Sequence, residues 1–235
     1  TETGGLSNTW DYANRITQIV KSGITSTYSY DHSGQRVKLA NGSSTTYYPS
    51  SYYNTDGIAA NKHILTPGGE VVATVKGTGT TAGIYYSHSD QLGSSSSITN
   101  SSGTLEELMD YFPYGNIRLD QKASTFSEQR KYIGQEFDTD TGLNYLNARY
   151  YHSSIGRFVS QDIMFINVGF DLTDPQSMNS YAYARNNPIR LVDTNGEWFW
   201  DAVKTFGSYT SGVVRGAVGG AANIIAGAAY TVSHP

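Results

Sequence analysis

The chain contains no cysteine, which excludes disulfide bonds, thiolate zinc sites and cysteine nucleophiles. Charge is also scarce, because Asp, Glu, Lys and Arg together make up 15% of the 235 residues, against roughly 25% in an ordinary soluble domain. The formal net charge is −4, so the basic surface that a nucleic-acid partner requires is not expected. These absences direct attention to folds that are held together by polar and aromatic side chains.

Signatures of cofactor and metal sites are missing as well. The glycine-rich stretch Gly77–Gly83 has no Gly-Lys-Ser/Thr, so it does not predict phosphate binding. The five histidines show no metal-ligand spacing, and Asp138–Gly142 lacks the remaining ligands of a calcium loop and is typical of a tight turn. We therefore expect no cofactor and no metal.

Tyrosine and glycine are the residues that replace the missing charge, with 19 and 25 copies. Tyrosine favours strands with one face exposed to solvent. Short strand-like runs alternate with turn residues at His32–Gly34 and Asn41–Gly42. A weak repeat links Trp10–Val20 with Tyr28–Leu39, each with an aromatic residue, Asp, a short turn and Arg. The pattern predicts one hairpin per repeat. In each, the Asp side chain accepts hydrogen bonds from amides of the turn, and the Arg pairs with that Asp or stacks on an aromatic ring.

Helix is expected in two places only, a short piece around Asp174–Asn186 and the Gly/Ala-rich tail after Glu197, while residues 120–131 are polar and predict a loop. The tail carries no charge from Gly216 to Ser233, which is near the minimum length of a spanning helix. Three readings stay open for it: an ordinary linker or buried helix, transient membrane contact by residues 212–233, and a permanent span. Residue 1 opens in mid-pattern without a signal peptide, so we expect a fragment of a longer protein.

Three ordered motifs carry a resemblance to a known family. Tyr132–Asp162 contains Gly-Gln-Glu, Asp-x-x-Thr-Gly-Leu, Ala-Arg-Tyr-Tyr and Gly-Arg-Phe, Asn179–Glu197 contains Tyr-x-Tyr-x-x-Asn-Asn-Pro, and His88–Gly103 contains His-x-Asp-x-Leu-Gly-Ser. Together with the two hairpins they resemble RHS (rearrangement hot spot) or YD-repeat proteins and their C-terminal core domain, over about Trp10 to Trp198.

The resemblance implies an all-β fold in which hairpin repeats form the end of a hollow spiral shell that the core domain closes. The expected division is repeats in 1–118, the core domain in 119–197 and the start of a variable C-terminal segment in 198–235. Family members are exported bacterial proteins, commonly polymorphic toxins, so the expected partners are the rest of the shell, the chain's own C-terminal effector and a secretion-system component. The implied location is secreted or at the cell surface. A surface adhesion protein without toxin and a carbohydrate-binding β-module remain as alternatives.

The family also implies aspartate-dependent self-cleavage, which needs one ionised and one protonated carboxylate close together. Arg149 matches the family's arginine and Asp162 its second aspartate, but Tyr150 stands where the first aspartate is expected and His152 where another acid is common. The sequence therefore predicts a degenerate site, unless Asp193 or Asp174 supplies the second carboxylate. Without one, Asp162 is expected to be a turn or capping residue paired with an arginine.

The cleavage motif itself departs from the family pattern. Pro188, Asp193 and Gly196 are present, whereas Thr194 replaces proline and Glu197 replaces leucine. A cut, if the chemistry is retained, is expected between Glu197 and Trp198. The aromatic residues and arginines of Leu146–Asp162 are otherwise expected to form packing and strand-end contacts.

Overall fold

The computed structural model describes residues 6–42, 44–79, 82–162 and 175–197. The chain divides into two units, Thr1–Ala202 and Val203–Pro235, and the second lies outside the described residues. The first contains two antiparallel sheets, of twelve and four strands. The large sheet consists of β1 (Ser7–Trp10), β2 (Ile16–Lys21), β3 (Ile24–Tyr30), β4 (Arg36–Asn41), β5 (Ser44–Ser50), β6 (Tyr53–Thr55), β7 (Ala60–Leu65), β8 (Val71–Lys76), β9 (Gly83–Ser89), β10 (Ser95–Asn100), β11 (Leu105–Tyr111) and β12 (Ile117–Lys122).

The strand order of the large sheet follows the chain from β1 to β12 without a crossover. Each strand therefore pairs only with the strands before and after it in sequence. The small sheet has the same simple order, with β13 (Glu136–Asp138), β14 (Leu143–Leu146), β15 (Arg149–His152) and β16 (Arg157–Phe158). The all-β, hairpin-built fold expected from the sequence is confirmed.

One turn recurs through the large sheet. The amide of its first residue donates to the carbonyl of its fifth residue, and the amide of its fourth donates to the carbonyl of its first. The fourth residue has a positive φ, which favours glycine and tolerates asparagine, and a register shift accompanies several of these turns. This combination is a three-residue hairpin loop with a bulge. The first residues of these turns are Asp11, Asp31, Thr66, Asp90, Asn100 and Phe112.

The side chain of the first residue explains the sequence repeat. Asp11 Oδ1 accepts hydrogen bonds from the amides of Ala13 and Arg15, at 2.9 and 3.0 Å. Arg15 then pairs with Asp11 at 2.8 Å and lies over the ring of Tyr30 at 5.0 Å. Asp31 accepts two turn amides in the same way. Both roles predicted for the repeated Asp and Arg are thus present in the first hairpin.

Two local expectations need correction. Residues 120–131 are not entirely loop, because β12 continues to Lys122 through ladder pairing with Glu107 of β11. The helix expected around 174–186 is two short 3₁₀ turns, Pro175–Met178 and Ala184–Asn186, and Asp174 lies outside the described residues.

The tail, with residues 212–233, also lies outside the described residues, so the structure does not test the two membrane hypotheses. Within the described part of the chain, none of the helical segments has the length and apolar character that crossing a membrane requires.

The small sheet shares its apolar core with the large one. One buried cluster joins Ile16, Ile19 and Tyr28 of β2 and β3 to Leu143, Tyr145 and Tyr150 of β14 and β15. A second cluster joins Leu92, from a turn of the large sheet, to residues of the small sheet and its flanking segments: Tyr132, Ile133, Leu146, Tyr151, Phe158, Tyr183, Ala184 and Val192. Each sheet therefore covers apolar surface that the other leaves open.

A buried ion pair adds to this junction. Nη1 of Arg36 donates to both carboxylate oxygens of Asp138, at 2.9 and 2.8 Å, and the two side chains are 1% and 5% exposed. The guanidinium also lies over the rings of Tyr48 and Tyr145, at 4.5 and 4.4 Å. Arg36 follows the second repeated turn, so the repeat's arginine here holds β4 to β13 rather than to its own hairpin.

Candidate functional site

An open cleft of about 480 Å³ lies between the two sheets. Residues 13–15 and 32–35, from the first two repeated turns, line one side. Residues 147–149, 160–162 and 195–197 line the other. Because Arg149 contacts Asp162, Gly196 and Glu197 of the second group, we call it the Arg149 cleft.

Arg149 begins β15, directly after a tight turn in which Asn147 has a φ of 62°. Alternation along the strand places Arg149 and Tyr151 on one face and Tyr150 on the other. The guanidinium lies 3.7 Å from the ring centre of Phe158, and its side chain is 6% exposed. A buried arginine needs acceptors for its donors, and the surrounding segments supply them.

Two carboxylates approach this guanidinium. Nη2 of Arg149 lies 2.8 Å from Oδ2 of Asp162 and 3.6 Å from Oδ2 of Asp193. Burial lowers the pKa of Arg149, and the two carboxylates oppose that effect. The sequence expectation that Asp162 pairs with an arginine matches this geometry, and Asp193 joins the same pair.

Asp193 is the more buried of the two acids. Its residue is 4% exposed, and Oδ1 accepts a hydrogen bond from the amide of Gly196 at 2.7 Å. Burial raises the pKa of Asp193, and the charge of Asp162 adds to the rise, whereas Arg149 and the Gly196 amide oppose it. A carboxyl group with a raised pKa beside a second carboxylate is the combination from which acid and base roles are built.

The position of Tyr150 agrees with the packing role expected for the aromatic residues of Leu146–Asp162. Tyr150 stands where the missing first aspartate was expected, but its side chain lies in the apolar cluster with Ile16 and Tyr28. A carboxylate at position 150 would enter that cluster instead of the cleft. Asp193 is the carboxylate that approaches the Arg149 guanidinium together with Asp162, and His152, whose Nδ1 is 2.9 Å from Ser154 Oγ, follows on the strand.

The cleavage motif is held along the same side of the cleft. Nε of Arg149 donates to the carbonyl of Gly196 at 2.5 Å, and Nη2 donates to the carbonyl of Glu197 at 3.2 Å. The amide of Ala148 donates to the carbonyl of Asn195 at 3.1 Å. Pro188 is buried earlier in the motif, and Trp198 lies outside the described residues.

Gly196 is required by this close approach. Its φ is +69°, and a Cβ at this position would lie 2.4 Å from the carbonyl oxygen of Leu146 and 3.0 Å from the amide nitrogen of Arg149. Both neighbours are backbone atoms, so the space cannot be regained by a side-chain rotation. Glycine therefore lets the motif lie directly against the β14–β15 turn.

Sequence reasoning missed the contribution of the first hairpin to the cleft. Nδ2 of Asn14 donates to the carbonyl of Gln161 at 3.2 Å, across 147 residues of chain. Nη1 of Arg149 donates to the carbonyl of Ser180, which also accepts from the amide of Asp162. Positive φ at Asn14 marks a turn, but no pattern in the sequence indicates what the turn touches.

Among the described residues, no cluster of His, Asp and Glu is arranged to hold a metal ion.

Comparisons with known proteins agree with this architecture. The family model described as Teneurin YD-shell matches residues 69–189. Two curated relatives are the tRNA3(Ser)-specific nuclease WapA of Bacillus spizizenii, 32% identical over 224 residues, and the tRNA nuclease WapA of Bacillus subtilis, 31% identical over 224 residues. Each match covers 89% of this chain but 9% of the relative's length.

A solved structure shares the fold. The crystal structure of TcdB2-TccC3 superposes with a TM-score of 0.66 at 22% identity, over 82% of this chain and 10% of the matched chain. At this identity the likeness concerns the fold alone.

Proposed function

Because the chain belongs to the teneurin YD-shell family of RHS- and YD-repeat proteins, we propose that it forms the closing end of a repeat shell that encloses or presents a C-terminal effector. In this proposal residues 1–118 are shell wall, residues 119–197 close the end, and residues 198–235 begin the variable segment. The protein acts in antagonism between bacteria and is secreted or held at the cell surface. The effector, the rest of the shell and a secretion-system component are its partners.

The observation that carries the proposal is the anchoring of the last described residues. Arg149 holds the carbonyls of Gly196 and Glu197 at 2.5 and 3.2 Å, inside a cleft whose opposite side is formed by wall turns. The last described residue, Glu197, is thereby held where the closing sheet meets the wall. That is a suitable place to fix the first residues of a cargo.

The comparisons support the toxin setting in general terms. The relatives named as tRNA nucleases are much longer proteins, of which this chain matches 9%. Nuclease activity is a property of those proteins. For this chain the proposal assigns only the shell and closing parts.

The test is protease protection of the C-terminal segment in the full-length parent protein, with an epitope tag fused at its C-terminus. In the wild type the tag should resist a protease that cuts an unfolded reference. Asp138→Ala, which leaves Arg36 buried without its partner, should open the junction and expose the tag at least several-fold faster. Asp11→Asn alters a partly exposed pair in the wall and serves as the matched control.

Cleavage of the wild-type tag as fast as the unfolded reference would contradict enclosure. Mass spectrometry of the digest shows whether residues 1–118 are cleaved as well, which identifies a variant that has unfolded as a whole. A glycan array probed with the intact wild type distinguishes the adhesion and carbohydrate-binding alternatives, which predict saturable glycan binding and no protected cargo.

Self-cleavage between Glu197 and Trp198 is a second candidate, favoured by the meeting of Asp162 and Asp193 on Arg149. In this mechanism Asp162, ionised beside Arg149, takes a proton from a water molecule in the cleft. The water attacks the carbonyl carbon of Glu197, whose oxygen accepts a hydrogen bond from Arg149. Asp193, with its raised pKa, is the proton donor for the departing amine.

Hydrolysis would leave a carboxylate on Glu197 and a free amine on residue 198. A denaturing gel of the parent protein should show two pieces, and mass spectrometry should place the new terminus at 198. Asp162→Asn should give one intact chain, whereas Asp140→Asn, at an exposed carboxylate outside the cleft, should split normally. A single intact wild-type chain would rule out this mechanism without affecting the enclosure proposal.

A further inference from the structure

A second cluster of ionisable groups lies away from the Arg149 cleft, around the ammonium group of Lys131. Nζ of Lys131 is 2.9 Å from Oε1 of Glu107 and 2.9 Å from Oδ2 of Asp120, and 3.5 Å from Sδ of Met109. The lysine side chain is 4% exposed. Its backbone is fixed as well, because its carbonyl accepts the amide of Ser95 at 3.0 Å.

The two carboxyl groups differ in their surroundings. The Glu107 side chain is fully buried, and its Oε2 accepts the amide of Glu128 at 2.6 Å. Burial raises the pKa of Glu107 and a hydrogen bond with Asp120 adds to the rise, whereas the Glu128 amide and Lys131 oppose it. Asp120 is 24% exposed. There burial is outweighed by the hydrogen bond and charge of Lys131, so the pKa of Asp120 lies below its usual value.

An amine, a carboxyl electrophile and a buried proton carrier are therefore held in contact. Fixed contact between reacting groups replaces a bimolecular encounter and is worth effective concentrations of about 10⁵ M or more when the groups are well oriented. An ion pair whose ammonium group is buried is also costly to keep, and joining the two groups into an amide removes both charges.

We propose that Lys131 and Asp120 form an intramolecular amide bond, with Glu107 carrying the protons. Glu107 gives its proton to the Asp120 carboxylate and accepts one from the Lys131 ammonium. The neutral Nζ then attacks Cγ of Asp120, a new Nζ–Cγ bond forms, and one Cγ–O bond breaks. One proton of the neutral Nζ leaves together with the Asp120 hydroxyl group, which carries the proton from Glu107, as a water molecule, and the amide nitrogen keeps the other hydrogen. The change is a condensation without redox chemistry, so it requires no oxidant and no external reagent.

The bond would join β12, the last strand of the wall, to the segment that leads into the closing sheet. Residues 121–130 would become a covalently closed loop at the point where the two sheets connect. A chain with no cysteine has no disulfide available for this purpose. The inference is independent of the proposed function, since it concerns a bond within the described residues whatever the shell contains.

Tryptic peptide mapping of the purified full chain under denaturing conditions tests the proposal. The bond blocks cleavage after Lys131, so peptide 119–122 should appear joined to peptide 131–149, at their summed mass less one water molecule. Lys131→Arg and Glu107→Gln should each abolish the joined pair. Lys122→Arg is the matched control, because Lys122 is a more exposed lysine 3.9 Å from the same carboxylate, and it should leave the joined pair unchanged.

Free peptides 119–122 and 132–149 in the wild type would show that the cluster is an ion pair only and would overturn the proposal. Joining through Lys122 in place of Lys131 would overturn it equally. Circular dichroism confirms that Glu107→Gln is folded before the comparison. A joined pair in folded Glu107→Gln would refute the proton-carrying role of Glu107.

Discussion

Breaking the Arg36–Asp138 ion pair should destabilise the protein far more than breaking a surface pair. Asp138→Asn keeps the shape of the side chain but leaves the guanidinium of Arg36, 1% exposed, without its counter-charge. Removing one partner of a buried pair costs about 3–5 kcal/mol. For a domain of this size each kcal/mol lowers Tm by roughly 2–4 °C, so we expect Tm to fall by roughly 6–20 °C.

Thermal unfolding followed by circular dichroism measures this fall, with Asp11→Asn as the control. Asp11 pairs with Arg15 at the same distance, 2.8 Å, but their side chains are 17% and 24% exposed, so the control should lose about 1 kcal/mol or less. The double variant Arg36→Met/Asp138→Leu should recover much of the loss, because no uncompensated charge remains. Equal Tm values for Asp138→Asn and Asp11→Asn would refute the reasoning.

Two further predictions concern stability in acid and the cleavage motif around Gly196. Burial lowers the pKa of His63 to about 4, below about 6.5 in an unfolded chain, so stability should be complete above pH 6.5 and decrease by about 3 kcal/mol as the pH falls towards 4. Urea unfolding across this range should show a weaker pH dependence in His63→Gln and an unchanged one in the exposed control His32→Gln. Gly196→Ala should accelerate amide exchange around Asp193–Glu197 far more than Gly23→Ala does in its own turn. Both glycines have a positive φ, but only at Gly196 would the added Cβ clash with a backbone atom, the carbonyl oxygen of Leu146. Similar effects of the two alanines on local exchange would contradict the close approach.

The hairpins could be predicted from sequence because their determinants are local. Asp31, its glycine three residues later and the strands on either side all fall within one short window. The related turns at Thr66, Asn100 and Phe112 were less visible, since the first residue varies while the backbone hydrogen bonds and the positive φ of the fourth residue persist. What repeats is therefore the backbone conformation of the turn, and only some of the turns have Asp as their first residue.

The candidate site was harder to predict, because its members meet through tertiary contacts. Arg149 and Asp162 were identified from motif resemblance, and Asp193 was considered only as a possible second carboxylate. Which carboxylate would reach the arginine depends on how the segment ending at Glu197 lies against β14 and β15. The packing role expected for Tyr150 is present, because strand alternation, which is a local property, turns Tyr150 away from Arg149. The continuation of β12 to Lys122 was missed because an edge strand with polar side chains resembles a loop in composition.

The sequential strand order has a consequence for the timing of folding. Each hairpin can form as soon as its two strands leave the ribosome or a translocation channel, since each strand of the described twelve-stranded sheet pairs with its neighbours in sequence. The apolar side of the earliest strands does wait, because Ile16, Ile19 and Tyr28 are covered by Leu143, Tyr145 and Tyr150. Over more than a hundred residues of synthesis, the nascent twelve-stranded sheet therefore carries an uncovered apolar surface until the four-stranded sheet is made, and that interval is when a chaperone would be most needed.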